Sequence, residues 1–145
     1  MSYFIFNKEF VDSIYRIAEN QSDLNNLNIF LSDYKVIEDS QENFNAFKFG
    51  SKSIVRYDGD TIIFKDEVQL IKNKSNLQYQ INYLKEKIKN FLENNKNHPL
   101  FSRWDSYYNQ LNNFNLDSIT YPSNKSLEQY FNDLGQPSFH ILQLP

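Results

Sequence analysis

Residues 54–91, IVRYDGDTIIFKDEVQLIKNKSNLQYQINYLKEKIKNF, contain the change of hydrophobic period that decides the fold. Ile54-Val55-Arg56-Tyr57 and Asp60-Thr61-Ile62-Ile63-Phe64 are β-rich runs on either side of Asp58-Gly59. That arrangement predicts a β-hairpin, with a type I′ turn because Asp-Gly tolerates two positive φ angles. From Asp66 onward the spacing becomes helical. Leu77, Ile81, Leu84, Ile88 and Phe91 recur at steps of 4, 3, 4 and 3, an a/d seam. The seam is shorter than the three or four heptads of a coiled coil, so a core-facing helix is the expectation over an oligomer zipper. Its start is open between a capping box at Ser75-Asn76-Leu77-Gln78 and a longer helix from near Asp66.

Upstream of the hairpin, Tyr3-Phe4-Ile5-Phe6 predicts a strand, and Tyr34-Lys35-Val36-Ile37-Glu38 another. Ser13–Glu19 alternates, with Ile14, Arg16 and Ala18 on one side and Tyr15 and Ile17 on the other. Its Ile and Tyr content favours a strand over a helix. Ser22–Asn28 is a polar turn or a single helical turn. Asp39-Ser40 offers an N-cap to a short helix carrying Phe44 and Phe47, with Gly50 as its stop.

Downstream, Asn94–Asn97 ends the seam helix and Pro99 is placed to open a second helix. On that helix Leu100, Trp104, Tyr107, Leu111 and Phe114 share a face, giving an antiparallel helical hairpin. Ile119-Thr120-Tyr121 is extended before Pro122. Ser126-Leu127-Glu128-Gln129 is a second capping box, opening a short third helix that stops at Gly135. The tail from Pro137 is expected to be extended, with Phe139 and Ile141 facing one way and His140, Leu142 and Leu144 the other. So apolar a tail is expected to dock on the body or on another chain. The fold class is therefore α+β: a small N-terminal antiparallel or mixed sheet with short helices over residues 1–65. A mainly helical part with an extended tail follows over residues 66–145.

Composition narrows the function. The formal charge is −3, and no basic run interleaved with aromatics appears, which argues against nucleic acid as a partner. There is no cysteine, so disulfides, thiol catalysis and thiolate metal sites are excluded. No apolar run approaches membrane-spanning length, and Tyr3–Phe6 is too short for the core of a signal peptide. Ala, Gly, Pro and Arg together number 12 whereas Asn alone occurs 20 times. That bias points to an AT-rich genome, and it removes Asn abundance as a functional signal.

His98 and His140 have no evident partners for metal binding or general base work. Asp58-Gly59-Asp60 lacks the spaced ligands and distal Glu of a calcium loop. No phosphate-binding glycine loop or nucleophile elbow is present. The expectation is a protein without catalytic residues, cofactor or metal. Trp104, Tyr107 and Tyr108 form an aromatic stripe, which reads either as core or as a partner platform. With Phe139, Ile141, Leu142 and Leu144 they are the candidate partner-binding residues, since Trp and Tyr supply contact area at low entropy cost.

The segments Asn97-His98-Pro99-Leu100-Phe101, Trp104, Tyr107-Tyr108-Asn109-Gln110-Leu111, Leu116–Pro122 and Ser126–Tyr130 are similar to the ends of small proteins encoded among the structural genes of marine bacteriophages. Tyr15–Asn20 and Tyr34–Glu38 belong to the same pattern. Trp104, Tyr107-Tyr108, Leu111 and the extended stretch before Pro122 also resemble the C-terminal region of phage tail-fibre assembly chaperones. In that family Arg usually stands where this chain has Tyr108, and this chain continues past Pro122. The resemblance implies a virion structural protein of the tail, neck or fibre-attachment region. Its partners would be other virion proteins or itself, with no nucleic acid and no membrane. The alternatives are an assembly chaperone and a small host-interaction or inhibitor protein.

Overall fold

A computed structural model describes residues 1–67, 73–135 and 140–145. The chain is mixed α+β: antiparallel strands with short helices, then a helical hairpin and further helices. It divides into two compact units, the first Met1–Glu67 with Leu142–Pro145, the second Val68–Ile141. The boundary expected after residue 65 thus falls two residues later. The last four residues, expected with the helical part, group with the strands.

The first unit is built on β1 (Ser2–Asn7), flanked antiparallel by β2 (Ile14–Ala18) and β3 (Tyr34–Asp39) in the order β2-β1-β3. The unbroken run Tyr3-Phe4-Ile5-Phe6 belongs at the centre because both faces of that strand are covered. Phe4 and Phe6 pack with Ile17, Ile37, Phe44 and Ile62 on one side. Ile5 packs with Ala18, Leu24 and Leu27 on the other. The first face is closed by α2 (Gln41–Lys48) and the hairpin of β4 (Lys52–Asp58) with β5 (Thr61–Asp66). The second is closed by α1 (Gln21–Asn25) and the loop after it.

Two β-bulges make this possible. Ile5 pairs with Arg16 but Phe6 pairs with Ile14, so Tyr15 is an extra residue in β2. A one-residue insertion reverses the side-chain alternation beyond it. Ile14 therefore joins Ile17 on the Phe4 face, which corrects the alternation expected for this strand. Tyr15 instead stacks on Tyr34 at 4.7 Å and 2°, with the Arg16 guanidinium 4.2 Å from the centre of its other face. The same device recurs in β4, where Ile54 pairs with Phe64 and Arg56 with Ile63. Val55 is the extra residue and is exposed, while Ile54 and Tyr57 both reach the core.

The hairpin turn is type II′ rather than type I′. Asp58 pairs with Thr61, so the central residues are Gly59 and Asp60. Of these only Gly59 has positive φ, at 60°. A Cβ at Gly59 would meet nothing within 4 Å, so the cost of a side chain there is conformational alone. Gly59→Ala is expected to destabilise by about 1 kcal/mol and Gly59→Asn by less, measured by thermal unfolding.

The short helices hold by their caps. Ser40 Oγ accepts from the Asn43 N–H at 3.1 Å to open α2, and Gly50, with φ 81°, follows its end. Asn20 Oδ1 accepts from the Asp23 N–H at 2.9 Å to open α1. The last described segment is not extended: Ile141–Gln143 forms one 3₁₀ turn. Leu142 packs against the Phe4 cluster and Gln143 is buried.

The second unit is led by α3 (Lys74–Asn94) and α4 (Phe101–Asn112), which form the helical hairpin. All five seam residues of α3, Leu77 to Phe91, are buried. Neither expected start holds. Asp66 belongs to β5, and the cap is Asn73, whose Oδ1 accepts from the Asn76 N–H at 3.0 Å. Pro99 lies two residues before α4 instead of inside it. His98 shapes that entry: its Nδ1 accepts from the Leu100 N–H at 3.1 Å and its carbonyl accepts from Phe101.

Ile119 is extended after a 3₁₀ turn at Leu116–Ser118, and the Tyr121–Pro122 bond is cis. The capping box at Ser126 and Gln129 opens α5 (Leu127–Asp133), and Gly135 follows with φ 71°. Ser126 is buried, so Ser126→Ala is expected to cost about 1 kcal/mol, read from urea unfolding by circular dichroism. An unchanged midpoint would show that the cap is dispensable.

Candidate docking surfaces

The residues singled out as a partner platform are distributed over both units. Trp104 and Tyr107 are each 1% exposed. Within the second unit, Trp104 lies 6.5 Å from Phe91 and 5.9 Å from Tyr107, and Tyr107 lies edge-on to Phe131 at 5.6 Å. Burial, with the charge of Glu128 second, raises the Tyr107 phenol well above its ordinary pKa. These side chains are interior; they hold α4 against α3 and α5. Tyr108 is half-buried, as is Ile141. Leu142 and Leu144 are half-buried and belong to the first unit. Phe139 lies outside the described residues, and so do the first two residues of the expected extended tail.

The aromatic surface that does face water is elsewhere. Tyr79 is 73% exposed and Tyr83 48%, four residues apart on α3. Both lie off the a/d seam, on the opposite side of the helix, and this spacing was legible in the sequence. Lys87 continues the line, with its ammonium 5.6 Å from the centre of the Tyr83 ring. On the first unit, Phe30 is 81% and Phe10 57% exposed, with Val11 beside Phe10. No periodicity marks these two phenylalanines, because both lie outside regular elements.

The Phe10 and Phe30 segments meet at one end of the sheet. The register pairs Asn7 with Tyr34, so the loop leaving β1 and the loop entering β3 are neighbours. The Lys8 ammonium donates to the Ser32 carbonyl and ties them. Tyr57 donates its backbone N–H to the Val11 carbonyl at 2.9 Å and its hydroxyl to the Lys8 carbonyl at 3.3 Å, adding the hairpin to the cluster. A polar cleft of about 410 Å³ opens here between Asn7, Lys8, Glu9, Ser32, Asp33 and Tyr34.

Lys35 reaches the hairpin tip at Asp60, 2.6 Å away. The hydrogen bond from Lys35, then its charge, lowers the Asp60 pKa. A depressed carboxylate pKa stabilises the fold above the unfolded value and loses that contribution as pH falls through the folded value. The loss is therefore expected below about pH 4. Lys35→Met is expected to raise the Asp60 midpoint toward that of an ordinary carboxylate, followed by carbon-detected NMR titration. Both groups are solvated, so salt should narrow the difference.

Among the described residues, no group of three or more His, Asp or Glu side chains could hold a metal ion, and no helix is long and apolar enough to cross a membrane. No protein-family model, curated protein or solved structure matches the chain.

Proposed function

We propose that this protein is a non-enzymatic component of a bacteriophage virion, in the tail, neck or fibre-attachment region. It acts by docking to neighbouring virion proteins or to further copies of itself. The phage resemblance of the C-terminal segments motivates the reading. The structural observation that supports it is that each unit exposes large aromatic side chains, Phe10 and Phe30 on the first and Tyr79 and Tyr83 on the second. Aromatic side chains at a surface are the usual anchors of protein contacts. Trp104 and Tyr107 serve such a contact indirectly, by keeping α3 rigid.

Quantitative mass spectrometry of purified particles tests this. The protein is expected in the mature virion at a fixed ratio to other tail proteins. Absence from particles together with a stable complex with fibre protein would identify an assembly chaperone instead. Absence from both would leave a small host-interaction protein.

A further inference from the structure

We infer that Leu142–Pro145 is an exchangeable arm, and that its seat on the first unit takes the same segment from a second copy of this chain. The inference rests on the docking reading above, which it narrows to copies of this chain.

The seat is defined by what fills it. The first unit comprises Met1–Glu67, and the chain rejoins it at Leu142 only after the whole second unit, Val68–Ile141. Leu142 packs against the Phe4 cluster, whose other described members all lie between Phe4 and Phe64. Gln143 is 5% exposed in the 3₁₀ turn Ile141–Gln143, and Leu144 and Pro145 are half-buried. Buried amides are hydrogen-bonded, so the seat selects apolar shape at Leu142 and polarity at Gln143. The arm is a single turn outside both sheets. An element held by so few side chains opens at much lower cost than core strands do.

A second copy presents the identical segment. Its fit to the seat equals that of the chain's own arm, so exchange makes and breaks the same contacts. Concentration then decides which arm is seated. A segment tethered to its own seat competes at an effective concentration on the order of millimolar. In dilute solution the arm therefore sits in its own chain, as in the structure. In an assembly that packs copies at or above that concentration, arms pass between neighbours. Every copy carries both arm and seat, so exchange closes as a reciprocal pair or continues as a chain.

Isotope-filtered NMR of the full chain is the test. Carbon-13-labelled and unlabelled protein are unfolded together and refolded, so that slow exchange cannot hide the result. Cross-peaks from Leu142 methyls of one copy to rings of the Phe4 cluster of another are expected at about 2 mM and not at about 0.05 mM. A chain ending at Ile141 has a vacant seat and should bind a peptide of residues 140–145. Binding should return the Ile17, Ile37 and Ile62 methyl signals toward their full-chain positions. A peptide carrying Leu142→Ala should bind about fivefold more weakly or worse. The full chain, with its seat filled, should bind the unaltered peptide at least about tenfold more weakly.

Cross-peaks confined to single copies at both concentrations overturn the inference. So does a folded shortened chain that ignores the peptide or takes the Leu142→Ala peptide equally well. The mixing measurement uses the unaltered chain alone and decides the matter even where the shortened chain does not fold. An arm that always stays in its own chain, in a protein abundant in particles, would sink exchange and leave the virion reading standing. Exchange in a protein absent from particles would do the reverse.

Discussion

Trp104→Ala is expected to destabilise the second unit by about 3–5 kcal/mol, enough to leave it substantially unfolded at room temperature. The side chain is 1% exposed between Phe91 and Tyr107, so its removal opens a cavity that helix backbones cannot close. Urea unfolding followed by far-ultraviolet circular dichroism reads the effect, since the only tryptophan is lost with the substitution. Trp104→Phe keeps a ring in the site and should lose much less. The outcome separates two roles that the sequence left open. If Trp104→Ala folds with wild-type stability and fails only to bind a partner, the ring is a contact residue and not a core residue.

Phe4→Ala is expected to cost the first unit a similar amount, about 3–5 kcal/mol. Phe4 lies edge-on to Phe44, Phe47 and Phe64, with ring centres 6.0–6.1 Å away. It thus joins the central strand to both layers that cover it on that side. A double-mutant cycle of Phe4→Leu with Phe44→Leu should return a coupling of about 0.5–1.5 kcal/mol, the usual worth of an aromatic pair beyond its area. A coupling near zero would mean that the rings only fill volume.

Much of the fold was readable from local patterns, for reasons that individual elements make plain. The seam of α3 is long and strictly periodic, so one arrangement buries all five of its residues. Ser40, Ser126, Gly50 and Gly135 act within one helical turn of themselves, and a cap or stop of that kind needs no distant partner. The hairpin was readable too, but not its turn type. The register of β4 on β5, with Val55 bulged out, moves the turn by one residue and makes Gly59 its first central position.

The candidate surface was much less legible. Trp104 and Tyr107 combine the chemistry of an interface anchor with that of a core residue, and helical spacing alone cannot say which. Their burial depends on Phe91 and Phe131, which come from other helices. Phe10 and Phe30 had no pattern to betray them, whereas Tyr79 and Tyr83 did: they fall outside the seam of their own helix.

The sequence by itself determined the α+β class, the hairpin, the seam helix and the caps, because each rests on interactions between residues close together in the chain. Only the tertiary structure decided which faces are used up. It reset the alternation of β2 and β4 through bulges at Tyr15 and Val55, which exist to fit Ile14 and Ile54 to side chains remote in sequence. It also buried Trp104, grouped Leu142 with the first unit, and left Tyr79 and Phe30 in water. Burial is a property of what packs against a residue, and those neighbours are named by the fold.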